Sequence, residues 1–530
     1  MDAPQKNTFF YATVVAIGGF LFGLDAALIS GTINFLTQEF SLTDWQVGTA
    51  VSAPGLGVLI ALPIAGYASD LLGRKKTLLI IAGLYLISAL GSALAPNYGM
   101  LVAARLLGGL AFSSITLASM YIGEIAPAKW RGQLVSMTQI NIVIGLSAAY
   151  FINYLILQLT HSEAAWVDNL GIRTSPWRWM LGTEILPAML WMLMLLFIPR
   201  SPYWLLLKGK QDEAEAALRK MNPPGVIPQK IAEIQESLAQ ISGPRSLGSQ
   251  FKKIFGRPMR LTLIIAATIA IAQQATGINA VLFYAPTIFE QLGIGTDAAF
   301  MQAIWIGLTG LVFTALALWL IDKLGRRPLM IWGMLWIVAS LAICSLGFHL
   351  ADYSLSREAI SEWPDQVQQQ QLEPLVGTVF GSDTAFKLAV QEALGESAAR
   401  EQIGTLLQKA ANLNTTLILL GILSFIAAFH FSVGPIMWVL LSEIFPISVR
   451  GIAIPLFALL SSVINYLVQQ FFPWQLAQMG SAAIFLFYAS MVAIGLLVLF
   501  RFLPETKNLS IEEVQKILQR EKAEQKPVLQ

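Results

Sequence analysis

The stretch SDLLGRKK at residues 69–76 returns in related form as IDKLGRRP at residues 321–328, once in each half of the chain. A second signature follows each copy, GEIAPAKWRG at 123–132 and SEIFPISVRG at 442–451. In both copies of the second signature the glutamate and the arginine are seven residues apart. Duplicated charged signatures among long apolar stretches are typical of membrane proteins that contain two structural repeats.

The composition identifies a membrane protein. The chain is 55% hydrophobic and 12% charged, with a mean hydropathy of +0.63, whereas soluble domains carry about twice that charged fraction. The net charge of +2 is spread over loops, which argues against nucleic-acid binding. The single Cys344 excludes an internal disulfide, and the apolar run at 9–29 is too long for a cleavable signal peptide.

A bilayer core needs about 20 apolar residues per helix, and about twelve stretches meet this length. In the first half they lie near 9–30, 46–69, 77–95, 100–123, 133–157 and 179–199. In the second half they lie near 261–289, 299–321, 328–349, 412–441, 452–475 and 483–502. We therefore predict an all-α membrane protein with two six-helix halves, 1–199 and 261–502.

The distribution of basic residues predicts cytoplasmic termini, because cytoplasmic loops are enriched in lysine and arginine. With twelve helices both termini lie on one side. The basic residues of the short loops on that side are Arg74, Lys75, Lys76, Lys129, Arg131, Lys323, Arg326, Arg327 and Arg450. The opposite short loops contain little beyond Arg173 and Arg178.

Two polar regions lie between or beyond the membrane helices. Residues 200–260 are expected to form a cytoplasmic linker domain with helices at Gln211–Met221 and Gln229–Ile241, separated by NPPG at 222–225. The tail, 503–530, contains a capping-box spacing from Ser510 that predicts a helix to about Arg520.

The second half also contains an insertion. The distance from Asp70 to Glu124 is 54 residues, but the distance from Asp322 to Glu443 is 121. The excess is a polar stretch at 350–411 on the outer side, with a glutamine-rich run and amphipathic patterns near 384–394 and 397–410. A solvated helical hairpin is the favoured interpretation, and a role in capturing substrate or a partner is the alternative.

Ionisable residues inside the membrane cost several kcal/mol unless they are paired or hydrated, so they are candidates for function. Asp25 in helix 1 and Arg105 in helix 4 have opposite charges and can neutralise each other. If the arginine moves with conformation, Asp25 takes up and releases a proton. A static buried ion pair is the equal alternative from chemistry alone.

Helix 7 carries the densest cluster of neutral polar residues, QQATGINAVLFYAP at 273–286. Amides supply the donors and acceptors that a neutral, hydroxyl-rich ligand needs, and Gly277 and Pro286 weaken the helix there. Gln274 and Asn279 share a face only if the helix is broken between them. Gln139 and Asn465 are candidates for further amides. Hydrogen bonding between helices is the alternative, which the clustering makes less favourable.

Aromatic and histidine residues give weaker indications. Phe22, Tyr284 and Trp438 offer flat faces to the C–H side of a sugar ring, although aromatics also pack ordinary interfaces. His430 is interpreted as a packed, hydrogen-bonded residue, with ligand contact or proton transfer as the alternative. His161 and His349 receive no role. Metal-ligand clusters, phosphate loops and nucleophile triads are not evident, so the sequence does not predict an enzyme.

With these residues in place, the chain resembles the sugar porter branch of the major facilitator superfamily, and most closely the bacterial xylose and hexose proton symporters. The resemblance covers almost the whole chain except 350–411. It rests on these motifs: GFLFGLD at 19–25, RLLGG at 105–109, the run from Gln273, GPIMW at 434–438 and PETK at 504–507.

The resemblance implies a sugar-binding set and a proton site. The set implied for sugar is Gln139, Gln273, Gln274, Asn279, Tyr284 and Trp438, with Phe22 nearby. Asp25 is implied as the proton site with Arg105 as its partner, because facilitative members usually have asparagine at the position of Asp25. The implied cytoplasmic charge network that holds the outward-open state comprises Asp70, Arg74, Glu124, Arg131, Asp322, Arg326, Arg327, Glu443 and Arg450.

Three positions depart from the family pattern. Gly310 stands where many members have a sugar-binding asparagine, and Ser461 stands where the xylose symporter has a glutamine. PRSPYWL at 199–205 replaces the usual Pro-Glu-Ser-Pro-Arg segment, so one glutamate and one arginine of the network are missing. We therefore expect a pocket suited to another ligand and a cytoplasmic gate that is held more weakly or differently.

The predicted function is proton-coupled symport of a monosaccharide by alternating access, without a cofactor and with protons as the coupling ion. The expected partners are the sugar and the lipid bilayer. Xylose, glucose, galactose and inositol remain alternatives for the cargo, and the sequence does not indicate an oligomeric state. A facilitative uniporter is the alternative within transport. A sugar sensor is less favoured, because fewer than 30 residues follow Pro504.

Overall fold

A computed structural model describes residues 3–127, 130–241, 252–361, 366–509 and 513–518. Helices lie at all twelve predicted membrane positions, which we number as segments 1 to 12. The segments of the first half are, in order, Ala3–Leu28, Asp44–Leu72, Arg74–Ala93, Tyr98–Ala111 with Ser114–Ile125, Arg131–Thr160, and Pro176–Gly182 with Ile185–Leu195.

The second half begins with a segment in three pieces. Segments 7 to 10 are, in order, Arg260–Ala275 with Ile278–Phe283 and Ala285–Glu290, Thr296–Leu324, Arg326–His349, and Thr415–Phe431 with Val433–Ile444. Segments 11 and 12 form one helical stretch, Ile447–Phe502, with non-helical dihedrals at Gly480.

Ten helices within the described residues are long and apolar enough to cross a membrane. One of them, Val449–Phe502, has 54 residues, about twice the length that a bilayer needs, and its break at Gly480 divides it into two spans. Segment 6 is absent from the ten because its break at Thr183 and Glu184 leaves two short pieces. With these corrections the arrangement is consistent with twelve spans.

The chain forms two compact units. The first comprises Met1–Ile29, Ser52–Ile152 and Ala164–Lys252, and the second comprises Ser30–Val51, Asn153–Glu163 and Lys253–Gln530. The short helix Ile33–Phe40, which follows segment 1, therefore belongs to the second unit. We describe the polar interior of each unit separately.

Glycines allow segments 1 and 5 of the first unit to approach closely. A Cβ on Gly23 would lie 1.9 Å from the carbonyl oxygen of Ile142, and one on Gly145 would lie 2.0 Å from that of Phe20. Small residues permit such backbone contact between membrane helices, so the glycines of the GFLFGLD motif fix the position of segment 1 beside segment 5.

The linker and tail follow the predicted pattern where the structure describes them. Linker helices occur at Pro202–Leu207, Gln211–Arg219 and Ile227–Ile241, and a short 3-10 turn at Pro224–Val226 separates the last two. Residues 513–518 are helical. Ser510 and the predicted helix end near Arg520 lie outside the described residues.

The insertion after segment 9 is folded around a core of its own. Strand Asp352–Tyr353 pairs antiparallel with Ala411–Asn412 and so joins the two ends of the insertion. Its helices are Arg357–Ser361, Gln366–Leu372, Asp383–Leu394 and Glu396–Ala410, with a 3-10 turn at Glu373–Leu375. The last two helices confirm the amphipathic patterns predicted near 384–394 and 397–410. Their inner faces contribute Phe386, Val390 and Leu406 to this core.

Candidate functional site

A buried ion pair joins segments 1 and 4 of the first unit. The Nη1 atom of Arg105 lies 3.0 Å from Oδ1 of Asp25, and both side chains are at most 4% exposed. Two charges buried to this degree require each other, because an unpaired charge in a low-dielectric interior is strongly destabilising. The pair predicted from the sequence is therefore formed in this structure.

The second oxygen of Asp25 has a different environment from the first. Its Oδ2 atom is buried and has no hydrogen-bond partner among the described residues. A Cβ at Gly108 would lie 2.9 Å from this oxygen and 2.6 Å from the hydroxyl of Ser88, so the glycine of segment 4 makes room for the carboxylate. The geometry thus combines one satisfied and one unsatisfied oxygen on a single acid.

Glu184 is buried in the first unit in addition to Asp25 and Arg105, and the sequence analysis did not name it as a candidate. It lies at the break of segment 6, is 3% exposed, and its Oε1 atom is buried without a partner among the described residues. Asp25 and Arg105 are its charged neighbours. It could have been predicted, because Glu184 lies inside the predicted membrane stretch 179–199, and an ionisable residue there is costly to bury, as Asp25 is.

The other two residues predicted in the first unit occupy different environments. The ring of Phe22 contacts Phe112 edge to face, with ring centroids 4.5 Å apart, as part of an apolar cluster. Gln139 lies on segment 5, is half-buried, and makes no hydrogen bond to a described residue. Its amide is consequently available to a ligand, whereas Phe22 is largely engaged in packing.

In the second unit, segment 7 is broken where the sequence predicted weakness. Gly277 has a φ of 75° and a Cβ there would lie 2.6 Å from the ring of Tyr488, so both backbone and packing require glycine. A second break follows at Tyr284, whose φ is −116°. The breaks divide the segment into an inner helix and two short outer pieces.

The break brings the predicted amides onto one face. Asn279 donates from Nδ2 to Oε1 of Gln274 at 2.9 Å and to Oδ1 of Asn465 at 2.7 Å. The expectation that Gln274 and Asn279 meet only across a break is confirmed. Gln469 also donates to Oδ1 of Asn465, at 2.7 Å, which extends the chain of amides along segment 11.

Ser461, one of the departures from the family pattern, is a member of this chain. Gln274 donates to its hydroxyl at 3.1 Å, and Gln273 donates to the carbonyl oxygen of Gly434 at 3.3 Å. The hydroxyl of Tyr284 is buried and donates to the carbonyl oxygen of Gln469 at 3.2 Å. Trp438 is 45% exposed and remains accessible to a ligand. We call Gln273, Gln274, Asn279, Ser461, Asn465 and Gln469 the amide chain.

His430 lies beside Gly310, the second position that departs from the family pattern. It is 8% exposed, and its Nδ1 atom lies 3.0 Å from the hydroxyl of Thr314. Its Nε2 atom has no partner among the described residues and lies 3.1 Å from the position of a Cβ on Gly310. The absence of a side chain at Gly310 therefore accommodates the imidazole. The favoured interpretation of His430 as packed and hydrogen-bonded agrees with this geometry for one of its two nitrogens.

Each unit also contains a charge cluster at the signature loops. In the first, Arg74 lies 2.8 Å from Asp70 and 2.9 Å from Glu124. In the second, Arg326 lies 3.0 Å from Asp322 and 3.1 Å from Glu443. The side chain of Arg131 is outside the description.

Two further residues assigned to the network use backbone partners. Arg327 donates to the carbonyl oxygen of Phe500 at 3.0 Å, and Arg450 donates to that of Phe445 at 3.2 Å. The residues Asp70, Arg74, Glu124, Asp322, Arg326 and Glu443 thus form the ion-paired part of the predicted network, three in each unit.

The segment 199–205, which departs from the family pattern, contacts the charge cluster of the first unit through hydrogen bonds of Ser201 and Trp204. Ser201 donates to Glu124, and the indole of Trp204 donates to the carbonyl oxygen of Asp70 at 2.9 Å. Arg200 instead lies 2.9 Å from Glu213 of the linker. The pKa of Glu213 is lowered because Lys210 donates a hydrogen bond to it and Arg200 is close by. Position 200, where the family pattern has a glutamate, thus carries an arginine that binds the linker.

Twelve apolar segments in two repeats, with a buried ion pair in one unit and a chain of amides in the other, define a multi-pass membrane transporter. A sequence profile described as "Sugar (and other) transporter" matches residues 11–360 and 394–518. The chain therefore belongs to the sugar transporter family of the major facilitator superfamily, and it is not an enzyme. The unmatched residues 361–393 lie within the insertion.

Relatives of known name support this assignment over nearly the full length. The D-xylose-proton symporter of Escherichia coli is 32% identical, over 97% of this chain and 97% of the relative. The arabinose-proton symporter of Bacillus subtilis is 33% identical, over 94% and 93%. The inward-open structure of the E. coli xylose transporter XylE matches with a TM-score of 0.72 at 29% identity, covering 96% of this chain and 99% of that one.

Proposed function

We propose that this protein carries a monosaccharide, a pentose or hexose, across the cytoplasmic membrane together with a proton by alternating access. The observation that carries the coupling is Asp25, a buried acid with one oxygen on Arg105 and one without a partner. A carboxylate in this position changes its proton affinity when the distance to the arginine changes. The proton-coupled relatives named above support the same assignment.

The amide chain supports a neutral, hydroxyl-rich cargo. Its donors and acceptors bond to one another, so sugar hydroxyls can replace these bonds without leaving a charge unpaired. A XylE structure with bound 6-bromo-6-deoxy-D-glucose matches this chain with a TM-score of 0.68 at 31% identity. The residues that we propose to contact sugar are Phe22, Gln139, Gln273, Gln274, Asn279, Tyr284, Trp438 and Asn465.

The energetics permit accumulation of the sugar. Moving one positive charge inward through about 100 mV releases about 2.3 kcal/mol, and a tenfold concentration ratio costs about 1.4 kcal/mol. A single proton therefore suffices for more than about tenfold accumulation. Protons are the proposed coupling ion, and no cofactor is required by this mechanism.

The proposed orientation places both termini and both charge clusters in the cytoplasm. Its basis is the concentration of lysine and arginine in the signature loops, of which Lys75, Arg326 and Arg327 are examples. The ion-paired clusters around Arg74 and Arg326 are proposed to act as the cytoplasmic gate network.

The first test replaces Asp25. In proteoliposomes, Asp25→Asn should abolish uptake against a sugar gradient while sugar counterflow continues, because counterflow needs the binding site but no net proton movement. The matched control is Asp212→Asn, the same change at an exposed position of the linker. Uptake of labelled xylose and glucose and the external pH are recorded together.

The result distinguishes symport from facilitative uniport. A symporter alkalinises the medium when sugar is added, and the Asp25→Asn variant does not. Accumulation that survives in Asp25→Asn would show that the Asp25 and Arg105 pair is only structural and that coupling lies elsewhere. A parent protein that neither accumulates sugar nor alkalinises the medium would be a facilitative uniporter. Competition by unlabelled xylose, glucose, galactose and inositol identifies the cargo in the same assay.

A further inference from the structure

The insertion after segment 9 holds the outer end of segment 7 through a buried acid. Asp383 begins the insertion helix Asp383–Leu394, is 6% exposed, and lies 3.1 Å from Lys387. Its carboxylate accepts the backbone N–H of Ser481 at 3.2 Å and lies 3.1 Å from the hydroxyl of that serine. Hydrogen bonds to a carboxylate are stronger than those between neutral groups.

The turn between segments 11 and 12 is shaped to receive this acid. Gly480 has a φ of 78°, and a Cβ there would lie 2.6 Å from Oδ1 of Asp383. Only glycine combines this backbone conformation with so close an approach. The contact is therefore specific to the turn and does not depend on general packing of the insertion.

Ser481 connects the turn to segment 7. Its hydroxyl lies 2.8 Å from Oε1 of Gln291, the residue that directly follows the outer piece Ala285–Glu290. A second contact lies close by: a Cβ on Gly293 would be 3.2 Å from the carbonyl oxygen of Gln408, and one on Gly295 would be 2.9 Å from its Nε2 atom. The insertion thus contacts the loop after segment 7 directly and is connected to the end of segment 7 through Ser481.

The outer piece that is held in this way is only six residues long. Breaks at Gly277 and Tyr284 separate it from the inner helix, and such breaks are where a helix bends. Glu290, at its end, accepts a hydrogen bond from Asn34 of the short helix Ile33–Phe40, and its Oε1 atom is buried without a partner among the described residues. The outer piece is therefore short, bounded by a break at Tyr284, and attached to its neighbours at its tip.

We propose that the insertion is a clamp on the outer piece of segment 7, and that Asp383 is a positioning residue that sets how readily this piece opens to the outside. The proposal rests on the proposed transport function, since opening of the outer piece admits sugar to the amide chain. Asp383 acts through Ser481 and Gln291 and does not touch the sugar.

The test measures opening directly, in the absence of sugar and of a proton gradient. Thr287→Cys places a thiol in the outer piece at a position whose hydroxyl is buried and unpartnered among the described residues. The native Cys344 is buried and stays in place. Labelling of Thr287→Cys by a membrane-impermeant maleimide from the outer side reports release of the piece.

Asp383→Asn in this background should increase the labelling rate about tenfold, which corresponds to about 1.4 kcal/mol and lies within the range of a charge-assisted hydrogen bond. Ser481→Ala should give a smaller increase, because the N–H contact to Asp383 remains. Ser481→Thr keeps the hydroxyl and should restore the parent rate. Glu392→Gln, an exposed change on the same insertion helix, should leave the rate unchanged.

Transport supplies a readout that separates positioning from folding. Asp383→Asn should lower the apparent KM of sugar counterflow by up to about tenfold, because a more populated open state raises the apparent affinity by the same factor. Loss of folded protein would lower only the maximal rate. Equal labelling rates in folded Asp383→Asn and Glu392→Gln would overturn the proposal. If Asp383→Asn does not accumulate, the difference between Ser481→Ala and Ser481→Thr decides it. Labelling requires no transport, so its outcome is independent of the cargo and of proton coupling.

Discussion

The polar interior of the first unit contains charged side chains, whereas that of the second contains neutral amides. In the first, Asp25 and Arg105 are opposite charges at 3.0 Å, with Glu184 as a further buried acid. In the second, Asn279 and Asn465 are neutral amides at 2.7 Å within a longer chain of similar bonds. The charges respond strongly to a change in distance, whereas the amides exchange partners at little cost. We therefore propose that energy coupling lies in the first repeat and that most of the sugar recognition lies in the second.

The largest effect is expected from removing only one partner of the Asp25 and Arg105 ion pair. Arg105→Met leaves Asp25 buried without its partner, which should lower the free energy of unfolding by about 3–5 kcal/mol and abolish sugar accumulation. Thermal unfolding in detergent and uptake in proteoliposomes measure the two effects. The double variant Asp25→Asn with Arg105→Met removes both charges and should regain most of the stability.

An exposed ion pair of the same composition is the matched control for this prediction. Arg173 and Asp168 are 3.3 Å apart and 44% and 52% exposed, so Arg173→Met should cost less than about 1 kcal/mol. Equal losses of stability in Arg105→Met and Arg173→Met would contradict the claim that burial makes Asp25 and Arg105 depend on each other.

A smaller effect is expected from a substitution in the amide chain of the second unit, and it should change sugar binding without changing accumulation. Asn279→Ala removes the donor that joins Gln274 to Asn465 and should raise KM for sugar about tenfold. The accumulation ratio at saturating sugar should stay at the parent value, because Asp25 is intact. Asn169→Ala, an exposed amide between segments 5 and 6, is the control. A lower accumulation ratio in Asn279→Ala would show that coupling is shared by both units.

The sequence predicted those features that depend on local chemistry. Apolar length located the twelve segments, and Gly277 between Gln274 and Asn279 predicted the break that brings the two amides together. The partners of Ser461 and Asp383 could not be predicted in this way, because each depends on a contact between residues far apart in the chain. Glu184 could have been predicted from its position in an apolar stretch, whereas its charged neighbours could not.

The smallest effect is expected at the signature-loop ends of segments 3 and 9, where the two repeats differ in one helix cap. Glu505 accepts the backbone N–H groups of Arg326 at 3.0 Å and Arg327 at 3.1 Å, and so caps segment 9. The matching position in the first repeat is Arg200, which lies beside the start of segment 3 at Gly73. A carboxylate stabilises a helix N-terminus, and an arginine does not.

Exchanging this charge should therefore make the first repeat resemble the second. Arg200→Glu should stabilise the protein by about 0.5–1 kcal/mol by capping segment 3, and Glu505→Arg should destabilise it by at least as much. Lys252→Glu, at an exposed position before segment 7, is the control for the change in net charge. Thermal unfolding at low and high salt is the measurement, because an electrostatic cap weakens as salt is added. A decrease in stability of Arg200→Glu would mean that the contact of Arg200 with Glu213 at 2.9 Å stabilises the first unit more than a helix cap would.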